Sequence, residues 1–210
     1  MKKNFALMLT LLFTTTTLLF TGCKKDDEDE VPPVVTLNGN NPEYVQVGKT
    51  YTDAGATASD DIDGTLSAVA SGTVNTSVVG TYTITYTATD SEGNVGTAAR
   101  SVHVVNFDGV YSVSEQCDVT GANTGSSNVN ASTATANNGM TISNFGLDGT
   151  SVANATFSGN KLTIPPQPFG NTTYEGTGTI TGTNQLVFNI TYTTTVSGVS
   201  QTCQATYTKQ

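Results

Sequence analysis

Tryptophan is absent from the chain, histidine occurs once, and past residue 30 the only basic side chains are Lys49, Arg100, Lys161 and Lys209. Each shortage removes a class of function. Proteins that follow a phosphate backbone concentrate lysine and arginine on one face, so nucleic acid is excluded as a partner, and little is left to grip an anionic lipid surface. One histidine cannot build a three-histidine zinc centre. A Ser-His-Asp hydrolase would depend on His103 alone, without any Gly-x-Ser-x-Gly elbow, and neither a Gly-x-Gly-x-x-Gly loop nor a P-loop occurs. Stacking on sugar rings would fall to tyrosine and phenylalanine. Beyond residue 33 no stretch carries the 3.6-residue apolar period of a useful helix.

What is present begins at the N-terminus. Lys2 and Lys3 precede an apolar run over residues 5–20, which leads into Thr21-Gly22-Cys23. A short apolar run behind a basic start and before small residues has the pattern of a cleaved export signal. An uncleaved spanning helix needs about 20 predominantly apolar residues, and the threonines at 14–17 dilute a run that is already shorter.

Phe20-Thr21-Gly22-Cys23 resembles the lipobox of bacterial lipoproteins, with phenylalanine where that family more often has leucine and threonine where it has alanine or serine. The resemblance implies removal of residues 1–22 and acylation of Cys23. Each buried methylene contributes about 0.8 kcal/mol, so two or more chains give stable attachment. The partner so implied is the outer membrane, reached through the lipid. Residues 23–32 read as an acidic, solvated tether, because residues 24–30 are charged throughout. Directly behind a lipidated cysteine, such a run resembles the surface-export signal of Bacteroidota-type lipoproteins, which implies exposure at the cell surface. Cleavage would also remove Lys2 and Lys3, taking the formal charge of −9 to −11.

From Val34 onward apolar and polar residues alternate with period two, punctuated by Gly, Asn, Asp and Pro, which predicts an all-β protein. The clearest strand spans 81–88, with Tyr82, Ile84, Tyr86 and Ala88 on one face and threonines on the other. Further strands are predicted over 34–37, 44–47, 51–58, 66–74 and 98–105. Some seven short antiparallel strands within residues 33–106 suggest an immunoglobulin-like β-sandwich, and Tyr82 stands where such folds carry their tyrosine corner.

Residues 107–210 form a second unit, with strands predicted over 110–113, 140–145, 152–157, 161–164, 174–180, 186–192 and 201–207. Tight-turn pairs such as Asp148-Gly149, Gly159-Asn160 and Ser197-Gly198 separate them. Such an up-and-down meander closes, or nearly closes, into a small antiparallel β-barrel, with a second sandwich as the alternative. Cys117 and Cys203 lie near the two ends of this unit. Outside the cytoplasm they are expected to form a disulfide, the alternative being two separately buried thiols.

Four segments, Pro33-Val34-Val35-Thr36-Leu37-Asn38-Gly39, Val47-Gly48-Lys49-Thr50-Tyr51-Thr52-Asp53-Ala54-Gly55-Ala56, Asp60-Asp61-Ile62-Asp63-Gly64 and Gly80-Thr81-Tyr82-Thr83-Ile84-Thr85-Tyr86, resemble a bacterial immunoglobulin-like family. That family recurs in surface proteins and pesticidal crystal toxins. The resemblance implies a spacer or adhesive module and brings no catalytic residues. Phe107-Asp108-Gly109-Val110-Tyr111 and Cys203-Gln204-Ala205-Thr206-Tyr207 resemble the ends of lipocalin-like domains in Bacteroidota lipoproteins.

Several residues are candidates for chemistry. Asp60, Asp61 and Asp63, with Asp53, Asp90 and Glu92 in reach, offer the oxygen cluster that calcium takes; no other cofactor is expected. Their spacing departs from the Asp-x-Asp-x-Asp-Gly loop, and Asp beside Gly is also what a plain β-turn requires. His103 alternates with Val102 and Val104 and reads as a surface strand residue. Glu115, Asp118, Asp148 and Glu175 are carboxylates of the kind that cleave glycosides in pairs, but they carry no signature spacing and solubility accounts for them. Pro165-Pro166-Gln167-Pro168-Phe169-Gly170 reads as a stiff loop. It either presents Phe169 to a ligand, with Tyr174 close behind, or is a plain connector with Phe169 folded inward.

The chain is therefore expected to be a non-catalytic cell-surface lipoprotein whose sandwich presents a C-terminal β domain to an extracellular glycan or protein. An accessory glycan- or peptide-binding role in nutrient uptake is the alternative, and a hydrolase the third reading.

Overall fold

The computed structural model describes residues 28–132, 134 and 136–210; the export signal, Cys23 and the first residues of the tether lie outside them. Both described units are β-structure, joined through residues 106–108.

The first is a sandwich. One sheet contains β1 (Val34–Leu37), β3 (Ala56–Asp60) and β4 (Gly64–Leu66), in that order across the sheet. The other contains β2 (Glu43–Gln46), β5 (Val69–Ser71), β6 (Gly80–Thr89) and β7 (Val95–Val105), in the order β2-β7-β6-β5. Alternation along β6 buries Ile84, Tyr86 and Ala88 and turns the threonines outward. Ile84 and Tyr86 meet Val45 and Val102, with Val35, Leu37 and Ala56 packed against them. The Tyr82 hydroxyl donates to the Val78 carbonyl at 2.9 Å, four residues upstream, so the tyrosine corner is present.

Three expectations for this unit are corrected. The pair β2 and β7 is parallel, not antiparallel. The strand predicted over 51–58 starts only at Ala56, because Gly55 takes φ of +75° and Asp53 is drawn away to Arg100. The run predicted over 66–74 divides at residues 67–68, where the chain crosses from one sheet to the other.

Arg100 lies on the inward face of β7, almost wholly buried at 1% exposure. Its guanidinium donates to Asp53, to the carbonyls of Asn38 and Gly55 and to the Tyr86 hydroxyl, and it lies 5.5 Å from the Tyr86 ring centre. This is the one salt bridge among the described residues. A planar fork with five donors suits such a site, where a lysine would leave carbonyls unpaired.

The second unit is a closed eight-stranded up-and-down barrel: β8 (Gly109–Cys117), β9 (Gly121–Asn130), β10 (Gly139–Ser143), β11 (Val152–Ser158), β12 (Lys161–Phe169), β13 (Thr172–Thr181), β14 (Val187–Val196) and β15 (Val199–Lys209). Each strand pairs antiparallel with the next, and β15 returns to β8 to close the ring. Cys117 and Cys203 stand opposite one another in that closing ladder and form the expected disulfide across 86 residues of sequence.

Two elements differ from expectation. No strand was predicted over β9, whose sequence Gly-Ala-Asn-Thr-Gly-Ser-Ser-Asn-Val-Asn buries only Ser127 and Val129 and so shows almost no alternation. The supposed stiff loop at 165–170 is mostly strand: β12 runs through its prolines to Phe169. Pairing with β13 breaks between Ile164 and Gln167, where residues without an N–H cost no ladder bond.

In an up-and-down barrel successive connections alternate between the two ends. The near end carries the β9–β10, β11–β12 and β13–β14 connections and abuts the sandwich. Asn40 donates to Ser158 at 3.0 Å, the Lys49 ammonium to the carbonyls of Ser132 and Ala134, and Tyr44 joins the barrel's buried cluster. Gln46 accepts from the Phe107 N–H at 2.7 Å and donates to Asp108, whose other carboxylate oxygen accepts from the N–H groups of Ala131 and Ser132.

His103 is therefore not a plain surface residue. It is half-buried at this junction, its ring centre 4.8 Å from that of Tyr44 and its Nδ1 within 3.3 Å of the Thr183 hydroxyl, and burial pushes its pKa down.

Candidate binding site

The far end of the barrel carries the β8–β9, β10–β11, β12–β13 and β14–β15 connections. Its hairpin tips expose Val119, Phe169, Val196 and Val199, so Phe169 is not folded inward. Tyr174, the other predicted ligand-facing residue, is buried beneath this end, and its hydroxyl donates to Asp148 at 2.8 Å. Burial, then the neighbouring Asp148 carboxylate, pushes the Tyr174 pKa up to about 12.

The β10–β11 connection folds over the mouth as a single 3-10 turn, Phe145–Leu147. Asn144 (φ 56°) and Leu147 (φ 54°) both take left-handed backbone, a conformation that costs a non-glycine residue on the order of 1 kcal/mol or more. The turn is tied down at several points. Asn144 donates to the Ser126 carbonyl and accepts from the Gly149 N–H, while one Asp148 oxygen accepts from the N–H groups of Thr150 and Ser151. Burial opposes ionisation of Asp148, but these donors and Tyr174 outweigh it and hold the carboxyl below its usual range.

Beneath the turn, Phe145 is wholly buried among three tyrosines. Its ring centre is 4.6 Å from that of Tyr192, 5.6 Å from Tyr174 in an edge contact and 6.3 Å from Tyr207 in a stacked one. The strand pattern supplies the room. Gly176 occupies an inward position of β13, where a Cβ would come within 2.7 Å of the Tyr192 Cβ; at Gly146 one would lie 3.2 Å from the Tyr174 ring.

Glu115 belongs to the same inward row of β8 as Tyr111, Val113 and Cys117, and it is buried at 6% exposure. Its Oε2 accepts from the Tyr192 hydroxyl at 2.6 Å. Burial, then Glu115, pushes the Tyr192 pKa well up. Tyr207 is wholly buried, and its hydroxyl has no hydrogen-bond partner of ordinary geometry although the Gly146 N–H lies on its side.

The sequence offers Glu115 only as one carboxylate of a possible glycosidase pair, and no motif in it marks Phe145, Tyr192 or Tyr207 as a site residue. The signal was available in the strict alternation of β8, which puts a carboxylate at an inward position. Of the other carboxylates in that set, Asp118 caps the Thr202 N–H, Glu175 is exposed and Asp148 is held at the turn by Tyr174.

The predicted aspartate trio divides in two. Carboxylate oxygens of Asp60 and Asp61 lie with Asp29, and those of Asp63 with Asp90 and Glu92, each group within 4.8 Å. Asp29 is half-buried and its carbonyl accepts from Asn94, so this part of the tether docks on the sandwich and is not wholly solvated. Asp60 Oδ1 accepts from the N–H groups of Ile62 and Asp63, which is turn chemistry, and both Asp63 oxygens accept from Ser91, which ties the β3–β4 turn to the β6–β7 hairpin. On that reading the chain melts at the same temperature in excess calcium and in chelator. A rise equivalent to about 2.7 kcal/mol, the effect of a site filled at 100 times its dissociation constant, would instead establish an ion.

Among solved structures, a lipoprotein from Bacteroides thetaiotaomicron aligns over 85% of this chain and 100% of its own, at 16% identity and a TM-score of 0.34. The CBM51-2 in complex with GlcNAc and INT domains of Clostridium perfringens ZmpB aligns over 84% of this chain and 43% of its own, at 15% identity and a TM-score of 0.32. Agreement this slight bears on neither fold nor ligand. No curated protein matches the sequence. Residues 35–104, which span most of the sandwich, match the family model described as "Bacterial surface protein, Ig-like domain".

Proposed function

We propose that the chain is a non-catalytic surface lipoprotein in which lipidated Cys23 is the anchor, the sandwich is a spacer and the far mouth of the barrel is the binding end. One observation supports this reading above the others: the near end of the barrel is closed against the sandwich, while the far end gathers the apolar hairpin tips Val119, Phe169, Val196 and Val199. Loops on a rigid β scaffold, directed away from the anchor, suit capture of an outside partner. The family match of residues 35–104 supports a place at the bacterial surface, and the acidic run behind Cys23 supports its outer face.

Two measurements test the reading. Protease treatment of intact cells should release the chain, and protection until lysis would place it inside the envelope. Screened against glycans and matrix proteins, the chain should retain a ligand whose capture falls at least about tenfold in Phe169→Ala, a loss of about 1.4 kcal/mol. Silence on both sets, or capture indifferent to the hairpin tips, would reduce the chain to a spacer.

A further inference from the structure

We propose that the far mouth of the barrel contains a site for a small organic ammonium ion, formed by Glu115, Tyr174, Tyr192 and Tyr207 and occupied by the Phe145 side chain when no ligand is bound. The proposal rests on the reading of the far mouth as the binding end and names the ligand class it takes.

The argument starts from charge. Glu115 is buried at 6% exposure, and among the described residues the only salt bridge is that of Arg100 with Asp53, so this carboxylate has no cationic partner. Burying a carboxylate without a counter-charge is strongly unfavourable, and a single tyrosine hydroxyl offsets only part of that. The neighbouring groups add no positive charge. Asp148 stands on Tyr174, and the field of Glu115 reaches all three tyrosine hydroxyls and opposes their ionisation. A cation is what this place lacks.

The shape follows from the rings. Three tyrosines around a common centre, with a carboxylate at the wall, form the arrangement that takes alkylammonium ions, since each ring face is negative and the interaction strengthens as water is excluded. Phe145 now occupies that centre, contributing dispersion and apolar burial but no charge. The wholly buried Tyr207 hydroxyl, lacking a full hydrogen-bond partner, points to an occupant other than a phenyl ring.

Exchange of ring for ligand has a structural route. Phe145 is on the turn with left-handed Asn144 and Leu147, so part of its anchoring is spent on unfavourable backbone that is relieved on opening. The bonds that must break, Tyr174 to Asp148 and Asn144 to Ser126, lie at the outer edge of the turn. Release of Tyr174 from Asp148 also frees that ring to close on the ligand.

Choline and its uncharged isostere 3,3-dimethylbutan-1-ol distinguish charge recognition from apolar filling. With no tryptophan present, the emission of the full chain comes from its eight tyrosines, three of which line the site. Choline should perturb it saturably and the isostere at least about tenfold more weakly. Phe145→Ala should bind choline more tightly than the wild type, a gain that misfolding cannot imitate. Glu115→Gln should lose the preference for choline over the isostere while melting at or above the wild-type temperature, because an uncompensated buried charge has been removed. A purely structural Glu115 would lose stability instead. Equal binding of the two compounds, or saturable binding by neither the wild type nor Phe145→Ala, would overturn the assignment, while leaving the capture test with glycans and matrix proteins to be judged on its own result.

Discussion

Replacing Arg100 with methionine should destabilise the sandwich by about 3–5 kcal/mol, the usual cost of removing one partner from a buried ion pair. The loss has three sources. Asp53 retains a charge with no cation beside it, the carbonyls of Asn38 and Gly55 lose their donors, and the Tyr86 ring loses the guanidinium over its face. The Asp53 side chain is 28% exposed, so water reaches it and the loss should fall toward the lower end of that range. Arg100→Lys should recover only part, since one ammonium cannot serve the carboxylate and both carbonyls.

Acid provides an independent reading of the same network. Burial opposes ionisation of Asp53, but donors from Tyr86, the Gly55 N–H and Tyr51, together with the charge on Arg100, bring its pKa below the ordinary value. A depressed folded-state pKa means the stabilisation is fully present above the unfolded value of 3.8 and is lost as pH falls through the folded one. The wild type should therefore lose stability steeply in that acid window, and Arg100→Met should lose much less there. A denaturant midpoint moved by less than about 1 kcal/mol in Arg100→Met, with an unchanged acid limb, would show that the pair contributes no net stability.

Arg100 also marks how far the sequence could be read. Period two made the fold class visible, because Tyr82, Ile84, Tyr86 and Ala88 announce an inward face before any contact is known. The same rule put Arg100 in phase with Val102 and Val104, yet a basic residue is ordinarily assigned to water. Only three-dimensional neighbours, Asp53 and two carbonyls distant in sequence, reveal that its two terminal nitrogens are satisfied inside, the buried Nε being left without an acceptor. β9 was hidden for the opposite reason. It has few side chains that bury, and its place is set by ladder bonds to β8 and β10, which composition does not record. In the candidate site, Phe169 and Tyr174 were legible as aromatics beside a proline-rich segment. Phe145 was not, since only a turn with left-handed residues folds it back into the barrel.

The disulfide is the second place where a large effect is expected, and its position explains why. Closing a barrel requires the first and last strands to find each other, here β8 and β15, and the cysteines are 86 positions apart with all six other strands of the ring between them. In the reduced unfolded chain that encounter costs loop-closure entropy of about 4–5 kcal/mol, which the bond removes in advance; strain and residual structure lower the realised figure to about 2–5 kcal/mol. The double variant Cys117→Ala, Cys203→Ala should therefore lower the barrel's melting temperature by on the order of 10 °C or more. Its denaturant m-value should rise, because an unfolded chain without the link exposes more surface. Equal melting with and without the bond would mean that the β8–β15 ladder closes unaided and that the cysteines contribute packing alone.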